Sequence, residues 1–292
     1  MSGFFQRVQS LPVLGLGVST EYGAGDSKES LDVLRLNQQY PHYARFLEVG
    51  VETTKGIDGH ADAWINQGLP TTYHFLDINL DDPEDFDAGW LAQVQDLAKL
   101  INPAWMCGDA GLWHFGRRDR AHMLLLPPIL GPDSATAMAQ GVQLLRQQTG
   151  FEVLPENPPG ALFVGPLHLL EFFAQVVDQA DTGMLLDCAH LAIFQRMRGH
   201  DPLTALDNFP LDRVVEVHVA GGTHRSHNGF SYIEDTHTAD VLPDTWTIFE
   251  SIVPRCPNLK AVVFECERNP LEDCLEGLQR ISKILEGSSL AS

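Results

Sequence analysis

The chain has 292 residues, of which 44% are hydrophobic and 20% are charged, a balance typical of a globular protein with a large core. Asp and Glu number 39 against 19 Lys and Arg, and the resulting formal charge of -20 counts against a general nucleic-acid binder, because it repels phosphate backbones. The five cysteines are scattered without a CxxC spacing, which favours reduced thiols over a disulfide framework.

Short apolar runs alternate with stretches of helical spacing along the whole chain. The predicted strands are residues 14–21, 45–52, 71–80, 104–109, 151–154, 183–187, 214–219 and 259–265. The predicted helices are residues 30–43, 58–67, 85–100, 134–148, 166–179, 241–253 and 271–285, with mixed helix and turn over 191–208 and a long loop over 115–133. The strand runs are continuously apolar, as expected for parallel strands that are buried on both faces.

Eight strand–helix units in a chain of this length predict an α/β fold, a TIM (β/α)8 barrel made of a single domain. We expect the barrel to span residues 1–286 and residues 287–292 to form a flexible C-terminal tail. A doubly wound open sheet is the alternative, and it fits less well because no strand is followed by a recognisable phosphate-binding loop.

Ionisable residues lie in or near the C-terminal part of each predicted strand. They are Glu21, Glu52, His74, Asp109, Glu156, Asp187, His218 and Glu265. In a TIM barrel this end of the strands carries the active site. Unpaired buried carboxylates are costly, and a bound cation offsets both their desolvation and their mutual repulsion. We therefore predict a metal site at the mouth of the barrel, with some of these residues in structural roles.

Two further candidate ligands, Asp235 and His237, follow the seventh strand in a segment predicted to be loop. Imidazoles and carboxylates without a paired thiolate set suit Fe, Mn, Zn or Co and count against an iron–sulfur cluster. Nucleophilic catalysis has less support, because the chain has no Gly-x-Ser-x-Gly elbow. Cys107 and Cys188 lie near the predicted site, but a buried cysteine usually acts as inert packing.

Eight short motifs carry a family resemblance. They lie at residues 14–18, 47–52, 124–130, 154–157, 185–190, 216–222, 235–237 and 263–265. The most specific are His218-Val-Ala-Gly221 and Asp235-Thr-His237. In this order they resemble the multinuclear non-heme iron-dependent oxidative enzymes, a TIM-barrel family that includes the methanobactin biosynthesis oxidase and enzymes that modify cysteine in ribosomally made peptides.

The resemblance implies a set of metal ligands. They are His74, Asp109, Glu156, Asp187, His190, His218, Asp235, His237 and Glu265. The chain departs from the family at Gly50 and Thr53, where relatives often have His and Asn, and at Ala110, where the family has a His after the acidic residue. His114 in the following loop is the candidate replacement. These departures leave open whether two or three iron ions, as Fe2+ and Fe3+, are bound.

The resemblance further implies an iron- and dioxygen-dependent enzyme that modifies the thiol of a cysteine-bearing peptide or of a small molecule. Arg117, Arg118 and Arg120 are candidates for binding a substrate carboxylate through fork-like hydrogen bonds. No appended peptide-recognition domain is evident, so we expect a separate partner protein to present a peptide. The chain shows neither a basic-then-apolar N-terminal signal nor an apolar run of membrane length, so we expect a cytoplasmic protein with no membrane partner.

Two alternatives remain open. Sugar isomerases and endonuclease IV-like hydrolases also place His, Asp and Glu around Mn or Zn at strand ends, where the ions activate water or polarise a carbonyl. The net charge counts against DNA as the substrate of such an enzyme. The other alternative, motivated by Ala110, is a catalytically inactive binding relative that has lost part of the site.

Overall fold

Parallel strands close into a barrel in the computed structural model, which describes residues 3–20, 30–82, 86–116, 120 and 124–286. The strands are β1 (Gly15–Thr20), β2 (Leu47–Val51), β3 (Thr71–Phe75), β4 (Met106–Asp109), β5 (Val153–Glu156), β6 (Met184–Asp187), β7 (Val214–His227), β8 (Phe230–Thr238) and β9 (Ala261–Glu265). Parallel pairing runs from β1 to β7 in chain order, and β9 pairs with both β7 and β1. This closure confirms the predicted TIM barrel.

Helices separate the strands, as the helical spacing predicted. They are α1 (Phe4–Arg7), α2 (Val33–Gln39), α3 (Gly59–Asn66), α4 (Ala88–Ile101), α5 (Pro132–Thr149), α6 (Leu169–Ala180), α7 (Cys188–Arg198), α8 (Pro243–Ile252) and α9 (Leu271–Leu285). Three of these helices, α2, α3 and α4, have an aspartate as N-cap. The carboxylates of Asp32, Asp58 and Asp87 each accept a hydrogen bond from an amide of the first turn. Among the described residues, no helix has both the length and the apolar character needed to cross a bilayer. The predicted tail lies outside the described residues.

The interior of the barrel changes from apolar at the bottom to polar at the mouth. Phe46, Trp105, Leu154 and Val263 belong to the apolar cluster that packs beneath the barrel around Phe4 of α1. Side chains two positions apart on a strand point to the same side, so the residue two positions after each of these also points into the barrel. Those later residues are Glu48, Cys107, Glu156 and Glu265, and all four are buried.

The chain between β7 and β8 differs from the prediction. β7 runs past the barrel to His227 and returns as the antiparallel strand β8, so the prediction of a loop over Asp235–His237 was wrong. Asn228 and Gly229 form the connecting turn with φ values of 50° and 80°. Positive φ at both central residues is what a type I′ hairpin turn requires, and an Asn-Gly pair is its strongest sequence signal.

Close packing of α5 supports the loops at the barrel mouth. A Cβ built at Gly141 would overlap the carbonyl oxygen of Leu80, which lies in the loop after β3. In the same loop, Asn79 accepts a hydrogen bond from the Trp113 amide at 2.7 Å and donates one to the His114 carbonyl at 3.0 Å. The small residue in α5 therefore sets the position of two mouth loops.

We predict that Gly141→Ala destabilises the protein although alanine has the higher helix propensity. Forcing the loop away from α5 should lower the free energy of unfolding by about 1–3 kcal/mol, the usual cost of overpacking. Chemical denaturation of the full chain measures this change. Gly59→Ala in α3 is the matched control, because its added Cβ would meet nothing within 4 Å. Equal stability of the two variants would show that α5 does not pack tightly on the loop.

Candidate metal centre

His218 lies at the middle of a group of acidic side chains inside the barrel mouth. Its Nε2 lies 3.2 Å from Glu48 Oε2, and its Nδ1 lies 3.4 Å from Glu265 Oε1 and 3.5 Å from Glu156 Oε1. Glu156 in turn lies 2.9 Å from His74 Nε2. All five side chains are buried, and they come from five different strands.

Several overlapping sets of three residues have the spacing of metal ligands. In each set, the ligand atoms lie within 4.8 Å of one another. Four of the sets are Glu48–His74–His218, His74–Asp109–Glu156, Glu156–Asp187–His190 and Asp187–His218–Glu265, and the fifth, Glu48–Cys107–Glu216, contains a thiol. The sets share members, so they form one continuous group of possible ligands.

The hairpin adds two groups from above the barrel. Asp235 Oδ2 lies 3.1 Å from His190 Nε2 and 3.1 Å from His237 Nε2, and His237 Nε2 lies 3.8 Å from Glu265 Oε2. The β7–β8 register shifts at Gly221/Gly222, and His237 has a φ of 50°. Asp235 and His237 are two positions apart on β8, and both side chains face the centre.

Neighbouring groups fix the orientation of two of the imidazoles. His237 Nδ1 donates to Glu267 Oε1 at 2.6 Å, and His190 Nδ1 donates to the Asn157 carbonyl at 2.9 Å. The Asn157 side chain also accepts from the Asp187 amide and donates to the Asp187 carbonyl, both at 2.9 Å. Contacts of this kind leave Nε2 of both rings facing Asp235 and raise its basicity as a ligand.

Six atoms of the centre are buried and have no hydrogen-bond partner within the described ranges. They are Asp109 Oδ1, Glu156 Oε1, Asp187 Oδ2, His218 Nδ1, Asp235 Oδ1 and Glu265 Oε2. Unpaired buried polar atoms are rare because each one costs free energy. Convergence of oxygen and imidazole nitrogen donors in one place fits bound transition-metal cations, which would satisfy these atoms together.

Without a cation, protons balance the buried negative charge. Burial alone would lower the pKa of His74, but the Glu48 and Glu156 carboxylates outweigh it and raise the pKa to about 10. Burial, with the charges of Glu265 and Glu156, raises the pKa of Asp187 to about 8. Burial would also lower the pKa of His218, yet Glu48 and Glu265 raise it well above its ordinary value. At neutral pH the cation-free centre therefore carries protons that a metal must displace.

A second acidic layer lies below the centre. Trp105 Nε1 donates to Glu216 Oε2 at 2.6 Å, and the Cys107 thiol donates to Glu48 Oε2 at 3.2 Å. Burial, with the Glu48 charge, raises the pKa of Glu216 to about 8, so this carboxyl group is neutral at pH 7. Burial likewise raises the pKa of Cys107 well above its ordinary value, which keeps the sulfur as a thiol. This layer closes the floor beneath Glu48.

All nine residues predicted as ligands lie together in this centre, and their role as ligands stays a prediction. Sequence reasoning missed Glu48 and Glu267. The alternation of side chains on β2 indicates that Glu48 points inward with Gly50, whereas Glu267 follows the end of β9 and carries no comparable signal. Glu52 directly follows the end of β2, as predicted, but it accepts hydrogen bonds from Thr54 in its own turn and has a structural role there.

The candidate replacement for the ligand missing at Ala110 is also wrong. His114 Nδ1 and Nε2 lie 3.0 Å and 3.2 Å from the carbonyl oxygens of Gly116 and Asp77, so neither nitrogen faces the centre. Arg120 is buried with its guanidinium 4.2 Å from the Trp90 ring centroid and 3.3 Å from Asp87, a position that does not support substrate binding. Glu21, Arg117 and Arg118 lie outside the described residues.

A cavity of about 600 Å³ opens above the centre. His74, Asp109, His190, Asp235, His237 and Glu265 line its floor, and Trp113, Leu124, Leu125, residues 159–161 and Tyr232 contribute to its walls. This volume is typical of a site for a small molecule or a peptide side chain with its backbone. A larger groove of about 960 Å³ lies along α8 and α9, and none of the predicted ligands lines it.

The fold and the converging side chains define a TIM-barrel protein with a candidate metal centre made of imidazoles and carboxylates. Residues 23–286 match the family of RiPP precursor modification enzymes MbnB/TglH/ChrH, and the chain belongs to this family. The resemblance predicted from the motifs is confirmed. Membership, together with the ligand-like clusters, supports a metal-dependent enzyme.

Relatives match over most of the chain. A UPF0276 protein of Anaeromyxobacter sp. (strain Fw109-5) is 25% identical over 233 residues, which cover 78% of this chain and 79% of that protein. A UPF0276 protein of Caulobacter vibrioides (strain NA1000 / CB15N) is 24% identical over 269 residues, covering 86% and 93%. These names do not describe an activity.

Solved structures share the barrel at low sequence identity. A xylose isomerase-like TIM barrel protein from Mycobacterium smegmatis, crystallised in complex with magnesium, has a TM-score of 0.59, 11% identity and coverage of 100% of both chains. A D-tagatose 3-epimerase-like protein has a TM-score of 0.56 and 14% identity, covering 93% of this chain and 97% of the other. At this identity the likeness shows the fold alone.

We predict that metal binding releases protons and strengthens as pH rises. His74 has a raised pKa of about 10, so it is protonated at neutral pH, and a metal ion binds only the neutral ring. Titration calorimetry with Fe2+ under anaerobic conditions, in buffers of different ionisation enthalpy, should report net proton release near pH 7. Affinity should fall as pH is lowered towards about 6. Binding heats that do not depend on the buffer would contradict this assignment of protons.

We also predict that Glu267→Gln weakens metal binding while keeping the fold. Glutamine can still accept from His237 Nδ1, but without the negative charge it leaves Nε2 less basic, and affinity should drop about 10–100-fold. Competition with a chromophoric chelator measures the affinity. Glu272→Gln is the control, because that exposed carboxylate pairs with Arg35 at 2.7 Å, on the surface. A loss that is equal in both variants would remove the positioning role of Glu267.

Proposed function

We propose that this protein is an iron- and dioxygen-dependent enzyme that oxidises the thiol of a cysteine in a peptide, or of a small thiol. The observation that carries the proposal is the set of six buried ligand atoms that have no hydrogen-bond partner among the described residues, at the floor of an open cavity. Membership of a family of precursor-peptide modification enzymes supports a peptide as the substrate.

The donor set supports iron as the metal. Oxygen and imidazole donors suit Fe2+ and Fe3+, and in this proposal the overlapping sets of ligands would hold two or three ions. Iron bound there would supply the one-electron steps that let dioxygen oxidise a closed-shell thiol. In this proposal dioxygen is the oxidant and the cysteine of the substrate is the group oxidised.

The side chains of the centre would have different roles in binding the metal and the substrate thiol. Asp109, Glu156, Asp187 and Glu265 would offset the cation charge, and the imidazoles of His190 and the other ligands would complete the coordination. Glu267 and Asn157 keep two of the rings in place before any ligand arrives, so little reorganisation is needed. The local positive charge of the cations would favour the thiolate form of a substrate thiol.

The cavity walls would isolate the substrate from water. Trp113, Leu124 and Leu125 present apolar surface around the entrance to the centre, and Trp113 is fixed by a hydrogen bond from its indole Nε1 to the Asp109 carbonyl at 3.0 Å. Removing water strengthens electrostatic interactions in the site and prevents side reactions of a reactive product. A separate partner protein that presents the peptide remains part of this proposal.

A divalent-metal isomerase or hydrolase is the second candidate, because similar barrels include a D-tagatose 3-epimerase-like protein and a xylose isomerase-like protein crystallised with magnesium. That chemistry needs a metal that activates water or polarises a carbonyl, and it needs no oxidant. Dependence on dioxygen therefore separates the two candidates.

We predict thiol-dependent oxygen uptake by the protein after it is loaded with Fe2+ without oxygen. An oxygen electrode would follow uptake with cysteine-containing peptides and with small thiols, and metal analysis would count the ions. His237→Ala should reduce the rate by about 100-fold or more, since even residues that only orient a ligand contribute 10–100-fold. His42→Ala, an exposed histidine outside the centre, is the matched control.

Either of two results would contradict the proposal. One is purified protein that holds only zinc and consumes no oxygen with any thiol. The other is an activity on sugars or phosphodiesters that survives strict anaerobiosis, which would favour the isomerase or hydrolase instead.

A further inference from the structure

Strand β8 forms the open edge of the hairpin above the centre. It pairs with β7 alone, in the register Ser226↔Ser231 and His227↔Phe230. In a hairpin with a two-residue turn, the residues that flank the turn form a hydrogen-bonded pair, and the pattern then alternates along the strand. Ser231 and Ile233 therefore turn their backbone N–H and C=O groups away from β7.

These outward groups have no partner within the described parts of the chain. Neither the backbone nor the side-chain hydrogen bonds there include the amide or carbonyl of Ser231 or Ile233. A strand edge with unpaired groups is a template for another extended chain. Residues 230–233 contain none of the proline or lysine residues that usually block such an edge. The spacing of these donors and acceptors is complementary to an extended peptide backbone.

The same edge borders the cavity above the metal centre. Tyr232, Ile233 and Glu234 line the cavity, together with residues 159–161 of the loop after β5. Asp235, the next residue of the strand, contacts both His190 and His237. An extended segment rises about 3.3 Å per residue, so a peptide paired at Ser231 would reach the centre about four residues later.

One face of β8 also offers an apolar contact for a side chain of such a segment. The rings of Phe230 and Tyr232 stack with centroids 6.0 Å apart, and Phe230 is 54% exposed. Side chains alternate between the two faces of a strand, so an added strand would place every second side chain on this pair. Backbone pairing and an alternating apolar contact together are the features of recognition by strand addition.

We propose that the outer edge of β8 binds the substrate peptide as an added β-strand and directs a cysteine about four residues away into the centre. The identity of this peptide as the substrate rests on the proposed function. The pairing itself requires neither metal nor dioxygen, so it is tested separately.

The test uses a pool of synthetic twelve-residue peptides, each with one fixed cysteine and randomised flanks, selected on the immobilised full-length protein. Ser231→Pro removes one outward N–H and places a ring on the edge, while the hydrogen bonds to β7 remain. Ser226→Pro is the matched control. It is the exposed serine directly opposite, and its N–H points away from β8 on the other edge of the hairpin.

We expect Ser231→Pro to weaken binding of the selected peptides by at least about tenfold and Ser226→Pro to change it by less than about twofold. Hydrogen exchange should show new protection at the Ser231 and Ile233 amides when peptide binds. A scan of backbone N-methylation along a selected peptide should reduce binding at every second position, and this readout does not depend on either variant folding.

Several outcomes would overturn the inference. They are a pool with no enrichment, equal effects of the two proline variants, an N-methylation scan without a period of two, and a dimer of this chain that Ser231→Pro abolishes. Peptide binding at the edge without thiol-dependent oxygen uptake would contradict the proposed function and leave the edge assignment intact. Oxygen uptake with small thiols, combined with peptide binding that Ser231→Pro does not change, would support the proposed function and overturn the edge assignment.

Discussion

Burial of many like charges at the mouth of a closed barrel is the constraint on which the rest of this molecule depends. The carboxylates of the centre are Glu48, Asp109, Glu156, Asp187, Asp235 and Glu265, and its imidazoles are His74, His190, His218 and His237. Most of these side chains are buried, so water screens their charges weakly and protons or cations must balance them. The raised pKa values of His74 and Asp187 show that protons balance the charge when no metal is bound. In a metal-loaded centre, the cations would balance it.

The barrel can contain this concentration of charge because the charged centre lies apart from the apolar core that stabilises the fold. Phe46, Trp105 and Leu154 fill the bottom of the interior, and the outer faces of the strands pack against the helices. The polar residues occupy the upper inward positions of the strands, and Glu216 and Cys107 form a layer between the centre and the apolar bottom. Stability and chemistry therefore lie at opposite ends of the same strands, as is general for this architecture.

The predictable part of the structure is the part that local periodicity encodes. Continuous apolar runs located the barrel strands, and polar residues at their ends located most of the centre. Glu48 was missed because only strand ends were considered, and Glu48 is the second residue of β2. Glu52 lies at the strand end as predicted, but it hydrogen-bonds within its own turn. His114 failed for a different reason, since proximity in sequence does not show that a buried imidazole is already held between two carbonyl oxygens.

Gly50 and Ala110 replace histidines of the family, so this chain lacks two imidazoles but keeps the buried carboxylates of the centre. Gly50 lines the cavity with Glu48, so the cavity reaches a buried carboxylate on the β2 side of the centre. A binding protein that had lost its metal would gain stability by replacing such carboxylates with apolar residues, because unpaired buried charges are costly and apolar replacements are often neutral or stabilising. Among its described residues, this chain instead keeps six buried ligand atoms without a hydrogen-bond partner. Their retention supports the proposal of a metal centre.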